Sequence, residues 1–233
     1  MTRACLIVRG GWPGHDPVAS TDHFLPALDR MNFRVEIEDT PEIYADADAM
    51  ARYDLIVQSV TMGSATVDEV EGLRAAVAAG AGLAGWHGGL IDSFRNAPDY
   101  LQLTGAQFAA HPHAPEDRGR TDVDPYRDYT VHVTDAGAVH PITASLDDFA
   151  VSTEQYWVLT DSLNEVLATC KLVPGDGDEW SRPLTMPVAW TRQWGEGRIF
   201  ATTLGHTVEL LQMPQVSALI ERGMDWAARD QRL

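Results

Sequence analysis

The hydrophobic positions of residues 1–90 switch between two periods. Ala4 to Arg9 is a short apolar run ending in Gly10-Gly11, the pattern of a buried strand that runs into a loop. Phe24, Leu25, Leu28 and Met31 recur at helical spacing, and Phe33 to Glu38 alternates apolar and charged side chains as a strand does. Tyr53 to Val60 reads as another buried strand. Thr66-Val67-Asp68-Glu69 is a capping box: Thr66 can take orphan backbone donors while Glu69 reaches back. Val67, Val70, Leu73 and Val77 line one face of the helix that follows, Gly80 stops it, and Ala81 to Trp86 begins the next strand. Strands separated by helices imply βαβ units. The pattern predicts an α/β fold, with a mostly parallel sheet and helices on both faces.

The rest of the chain is less regular. Residues 112–128 are rich in proline and charge and read as a long loop, and a second loop spans Pro174 to Thr185. Strand candidates are Tyr129 to Val133, Val166 to Leu172, Val188 to Trp194 and Arg198 to Thr203. The last helix starts at Pro214, a good first helical residue, with Val216, Leu219, Ile220, Trp226 and Ala227 on its apolar face. Neither a repeat nor a dividing linker is visible, so the expectation is one domain over residues 1–233.

Composition narrows the function classes. The formal charge of −17 repels phosphate backbones and anionic lipid, which argues against nucleic-acid and membrane partners. A neutral or cationic small molecule, or a metal ion, suits that field better. The acidic residues are dispersed (Glu36, Asp46, Asp68, Asp117, Asp147, Asp176), as a solvated surface requires. Lys171 is the only lysine and lies in a strand-like run, which disfavours Schiff-base chemistry. Cys5 and Cys170, each in a strand-like segment, form no disulfide framework. The N-terminal MTRACLIVRGG lacks a signal-peptide pattern and no apolar run approaches a membrane span, so the expected location is the cytoplasm. A homodimer is an expectation for which no interface is legible.

Ligands of open parallel sheets bind beyond the carboxyl ends of the strands, and this ranks the eight histidines. His15 follows the first strand, His87 the fourth, and His206 the strand RIFATT; His111 and His113 open the long loop. His23, His132 and His140 lie elsewhere, in a helix, a strand and a turn. The segment GWHGG, Gly85 to Gly89, has the form of a nucleophile elbow with histidine at its centre. Imidazole there is a poor acyl-transfer nucleophile but a good metal ligand or general base. The alternative is a structural cap on a glycine-rich turn. Gly10-Gly11 and Gly88-Gly89 match no nucleotide-binding fingerprint, so no nucleotide cofactor is expected.

The ordered motifs GWHGG, DYLQLTGAQFAAHP, HPIT, TEQYWVL and PVAWTRQWGEGRIFATTLGH resemble the ThuA (trehalose utilisation) family over nearly the whole chain. That resemblance implies a flavodoxin-like core, similar to class I glutamine amidotransferases. Those enzymes carry cysteine at the elbow and a late strand-end histidine; here His87 and His206 stand at those places, so a thiolate glutaminase is excluded. The family's recurring polar positions fall on His15, His87, His111, Glu154, Tyr156 and His206. The usual acidic pair before the tyrosine is incomplete, because Thr153 precedes Glu154. Glu154 is then a metal ligand or a base, or else a solvated edge-strand carboxylate. Tyr156 bonds a substrate hydroxyl, or is an ordinary half-buried strand tyrosine. His111 is a ligand or catalytic group, or a loop cap, and His113 ranks behind it.

Imidazoles at His15, His87, His111 and His206, with one carboxylate, suit a divalent ion such as zinc or manganese, although no local H-x-x-x-H spacing demands one. Trp86, Trp12, Trp190 and Trp194 offer flat faces for pyranose rings, against the alternative of core packing. The resemblance implies a sugar-processing role, as an isomerase, lyase or hydrolase acting on 3-keto-disaccharides or 3-keto-glycosides, with His87, Glu154, Tyr156 and His111 as catalytic candidates. A non-catalytic carbohydrate-binding or regulatory domain and a metal-dependent amidohydrolase are the alternatives, since fold alone does not choose among them.

Overall fold

In the computed structural model, which describes residues 2–112, 126–175 and 178–229, nine strands form one sheet in the order β2-β1-β3-β4-β11-β10-β9-β6-β7. The half built from β1 (Arg3–Gly11), β2 (Phe33–Glu38), β3 (Leu55–Thr61), β4 (Gly82–Trp86) and β11 (Gly197–Thr202) is parallel throughout. The other half, β10 (Leu184–Trp194), β9 (Glu165–Leu172), β6 (Tyr126–Val133) and β7 (Phe149–Glu154), is antiparallel. The apolar runs of β1 and β3 are buried along nearly their whole length, as strands covered on both faces must be.

Helices cover both faces. In β11, Gly197 abuts the Val77 carbonyl of α4 (Val67–Ala78), while Phe200 lies against Gly223 of α9 (Pro214–Ala227). These two β11 residues are three apart, so they point to opposite faces, and α4 and α9 sandwich the strand. The capping box at Thr66 forms in both directions, and α9 starts at Pro214 as the sequence predicts. The helical spacing of Phe24, Leu25, Leu28 and Met31 falls on α2 (Leu25–Arg30), which Pro26 opens, and a further short helix capped by Asp16, α1 (Pro17–Asp22), precedes it.

The middle of the chain is more ordered than its polarity suggests. β5 (Ala106–Ala110) pairs antiparallel with β8 (Trp157–Thr160) in a separate two-stranded sheet, and Tyr126 to Asp128, read as loop, belong to β6. His113 and most of the predicted long loop lie outside the described residues. No helix among the described residues is long and apolar enough to cross a membrane.

Candidate active site and metal centre

Parallel strands deliver their carboxyl ends to one edge, and the site is built there. β1 runs out through Gly10-Gly11 into a short 3-10 turn, Pro13–His15, that carries His15. β4 ends at Trp86 and passes directly into α5 (His87–Ile91). β11 is followed by Thr203, Leu204, Gly205 and His206. The antiparallel half brings Glu154 at the end of β7, and the β5–β8 pair brings His111 and Tyr156 to its open end.

His87 is the tightest element. Its φ is +48°, a left-handed value that is costly for a residue with a Cβ, and its side chain is buried. Gly88 and Gly89 keep this turn close-packed: a Cβ on Gly88 would press on the His15 ring at 2.9 Å, and one on Gly89 would meet the Ser59 backbone at 2.8 Å. The elbow thus holds a histidine on a strained turn above the sheet, where residue strain commonly marks function.

His15, His87, Glu154 and His206 each offer one ligand atom, and all four atoms lie within 4.8 Å of one another. His87 Nε2 is 3.2 Å from Glu154 Oε2 and 3.2 Å from His206 Nδ1, and His206 Nδ1 is 3.0 Å from Glu154 Oε2. Thr61 Oγ1 steadies the His15 ring, 2.9 Å from its Nδ1. The Tyr156 hydroxyl bonds Glu154 Oε2, lies 3.3 Å from His87 Nε2, and its ring stacks on Phe108 at 3.5 Å. His111 sits just outside the four, its Nε2 3.8 Å from Glu154 Oε1 and its Nδ1 3.3 Å from the Gln155 carbonyl.

The electrostatics favour cation-binding forms. Burial, reinforced by the neighbouring His87 and His206 rings, pulls the His15 imidazole down to about 3, leaving it neutral. Burial pushes the Glu154 carboxyl up, but His206, His87 and Tyr156 within hydrogen-bond reach outweigh it and hold the group well below the usual carboxylate range. Burial and the adjacent Glu154 carboxylate push the Tyr156 hydroxyl up, so it stays protonated.

The donor set also fits a divalent ion by its tautomers. His87 Nδ1–H donates to the Thr203 carbonyl at 2.9 Å, so a neutral ring turns only a lone pair toward Glu154 Oε2. Two acceptors facing each other at 3.2 Å need a proton or a cation between them. Imidazole and carboxylate ligands at about 2.0–2.2 Å from zinc sit roughly 3–3.5 Å apart from each other, which matches the separations among His87, His206 and Glu154, while the four atoms with His15 spread to 4.8 Å.

The remaining candidates separate clearly. Trp190 is fully buried with its indole nitrogen bonded to the Thr104 carbonyl, and Trp86 is buried against Phe24; neither presents a face to a substrate, because both are strand residues turned into the core. Trp194 packs under Arg74 at 4.8 Å, away from the site. Trp12 is 45% exposed and stands edge-on to His15 at 4.8 Å, so it borders the site. Cys5 and Cys170 are buried strand residues, and no cysteine stands at the elbow. The sequence reading missed Thr61, Phe108, Thr203 and the buried Asp92 beside Arg95; a backbone carbonyl such as that of Thr203 has no residue-type signal at all.

The ThuA sequence profile, described as trehalose utilisation, matches residues 4–227. The chain belongs to the ThuA family. Solved structures share the fold of this ThuA-family chain: a ThuA-like protein from Bacteroides uniformis (17% identity, TM-score 0.72, covering 97% of this chain and 91% of that one) and another from Parabacteroides merdae (19%, 0.72, 100% and 93%). A cytoplasmic protein from Salmonella typhimurium is similar at 14% identity and a TM-score of 0.63, covering 97% of this chain and 100% of its own. No functionally curated protein matches the chain.

Proposed function

We propose that this ThuA-family chain is a metal-assisted enzyme of disaccharide utilisation, acting on a 3-keto-disaccharide or 3-keto-glycoside. The observation that carries this reading is the convergence of His15, His87, His206 and Glu154, with ligand atoms within 4.8 Å, at the carboxyl edge of the sheet. These four would hold a zinc or manganese ion. A bound divalent ion would supply Lewis acidity toward the ketone oxygen.

The chain's own residues divide the remaining work. Glu154, held as a carboxylate, is a weak base, so it anchors rather than abstracts. Tyr156 keeps its proton and donates it as a hydrogen bond. His111, beside the four ligand residues and half-buried, exchanges a proton with the substrate carbon next to the ketone. When that C–H bond breaks, its electron pair forms an enolate. The pair then either takes a proton back at a neighbouring position, an isomerisation, or expels the glycosidic oxygen, which receives the proton held by His111 and leaves as a neutral alcohol. The Salmonella relative is described as a cytoplasmic protein, which supports a cytoplasmic setting for this chain too.

The test is turnover of 3-keto-trehalose and of trehalose by purified protein, with zinc or manganese supplied. Consumption of the oxidised sugar alone is the expected result. Indifference to both sugars under every metal condition would overturn the enzymatic reading.

A further inference from the structure

A second recess adjoins the metal centre on the far side of His111. It has a volume of 310 Å³ and is lined by Ala110, His111, Trp157, Asp178, Glu179 and Trp180, among others. Trp157 and Trp180 meet edge to face, with ring centroids 5.4 Å apart and planes at 83°, so they form a right-angled aromatic corner. Both are only partly buried.

The position of this corner follows from the chain. Tyr156 and Trp157 are consecutive, and in extended backbone neighbours point to opposite sides. Tyr156 turns inward onto His87 and Glu154, and Trp157, paired with Ala110 across the β5–β8 ladder, turns outward into the recess. His111 belongs to both: it lines the recess and lies 3.8 Å from Glu154 Oε1. A ligand seated in the corner therefore reaches the metal centre past a single imidazole.

We infer that this recess is a subsite for the second, unoxidised sugar ring of a disaccharide. The inference rests on the sugar-processing reading above. A pyranose has one face of polarised C–H bonds, which suits the negative face of an indole ring, and hydroxyls around its rim. Asp178 and Glu179 are acceptors for such hydroxyls, and their charge repels a phosphorylated sugar. The volume lies at the small end of ligand sites, room for one ring rather than a chain. The substrate class is thus a neutral disaccharide: one ring sits at the metal centre, the other on Trp157 and Trp180, and the linking oxygen lies beside His111.

Binding, measured by calorimetry with 3-keto-trehalose and with methyl 3-keto-α-glucoside, tests this without relying on turnover. Trp180→Ala is expected to weaken the disaccharide about tenfold and to leave the methyl glycoside unchanged, while Trp180→Phe keeps most of the disaccharide affinity. Equal losses for both ligands, or no loss for either, overturn the subsite. A differential effect on binding without any turnover would keep the subsite and defeat the enzymatic reading instead.

Discussion

His87 Nδ1 lies 2.9 Å from the carbonyl oxygen of Thr203, and that contact decides what the other ring nitrogen can do. A backbone carbonyl only accepts, so Nδ1 carries a proton and Nε2 is the nitrogen turned toward Glu154 and His206, where it could ligate an ion. β4 and β11 are neighbouring parallel strands whose ends supply His87 and Thr203 together. His87 is thus oriented by the sheet itself, rather than by a second side chain.

Replacing His87 separates function from strain. At φ +48°, a Cβ costs about 1–2 kcal/mol relative to glycine. In metal-free protein, His87→Gly is expected to unfold at higher urea than His87→Ala, and both variants should lose turnover. Equal midpoints would show that the elbow stores no strain.

Two adjacent glycines should fail differently when changed to alanine. The new methyl of Gly88→Ala meets the His15 ring, a side chain that can swing away, so metal affinity should drop while the melting temperature changes little. That of Gly89→Ala meets the Ser59 backbone, which cannot, and a loss of about 1–3 kcal/mol of stability is expected. Parallel melting curves and metal titrations of the two variants decide the matter.

Tyr156→Phe removes one hydroxyl and leaves the stack on Phe108. Losing a hydrogen bond to a charged group predicts a fall in turnover of about 10–100-fold with bound metal and fold retained. A variant with full turnover would remove Tyr156 from the chemistry.

Much of this architecture is legible in the sequence, wherever the signal is local. The capping box at Thr66, the Pro214 start of α9 and the buried β1 and β3 runs all follow from patterns within a few residues. The strand-end rule also brings His15, His87 and His206 to one edge. The β5–β8 pair escapes because its partners are about fifty residues apart and each is too short for periodicity to show. Exposure escapes too: nothing in the residue type says that Trp190 is core while Trp157 and Trp180 line a recess.

Acid should weaken the metal-free protein in a predictable window. The folded-state value of His15 is lowered to about 3 from an ordinary 6.5, so the unfolded chain binds a proton in that interval and the native one does not. Stability present above pH 6.5 is therefore lost as pH falls toward 3, and the lowered Glu154 adds a loss that begins as pH falls through the ordinary carboxylate range. Urea midpoints of chelator-treated protein should fall from pH 6.5 to pH 4.5, and His15→Ala should flatten that slope. An unchanged slope would mean that His15 is not held neutral by its surroundings.

If His15, His87, His206 and Glu154 form one divalent-ion site, a tightly held ion should survive removal of free metal. Elemental analysis of the wild-type chain and of His87→Ala and His206→Ala, each loaded with zinc or manganese and then desalted, tests it most directly. About one ion per wild-type chain and near none in either variant is expected, with all three proteins folded by circular dichroism. A wild-type chain that retains no ion, or folded variants that retain as much as the wild type, would contradict it.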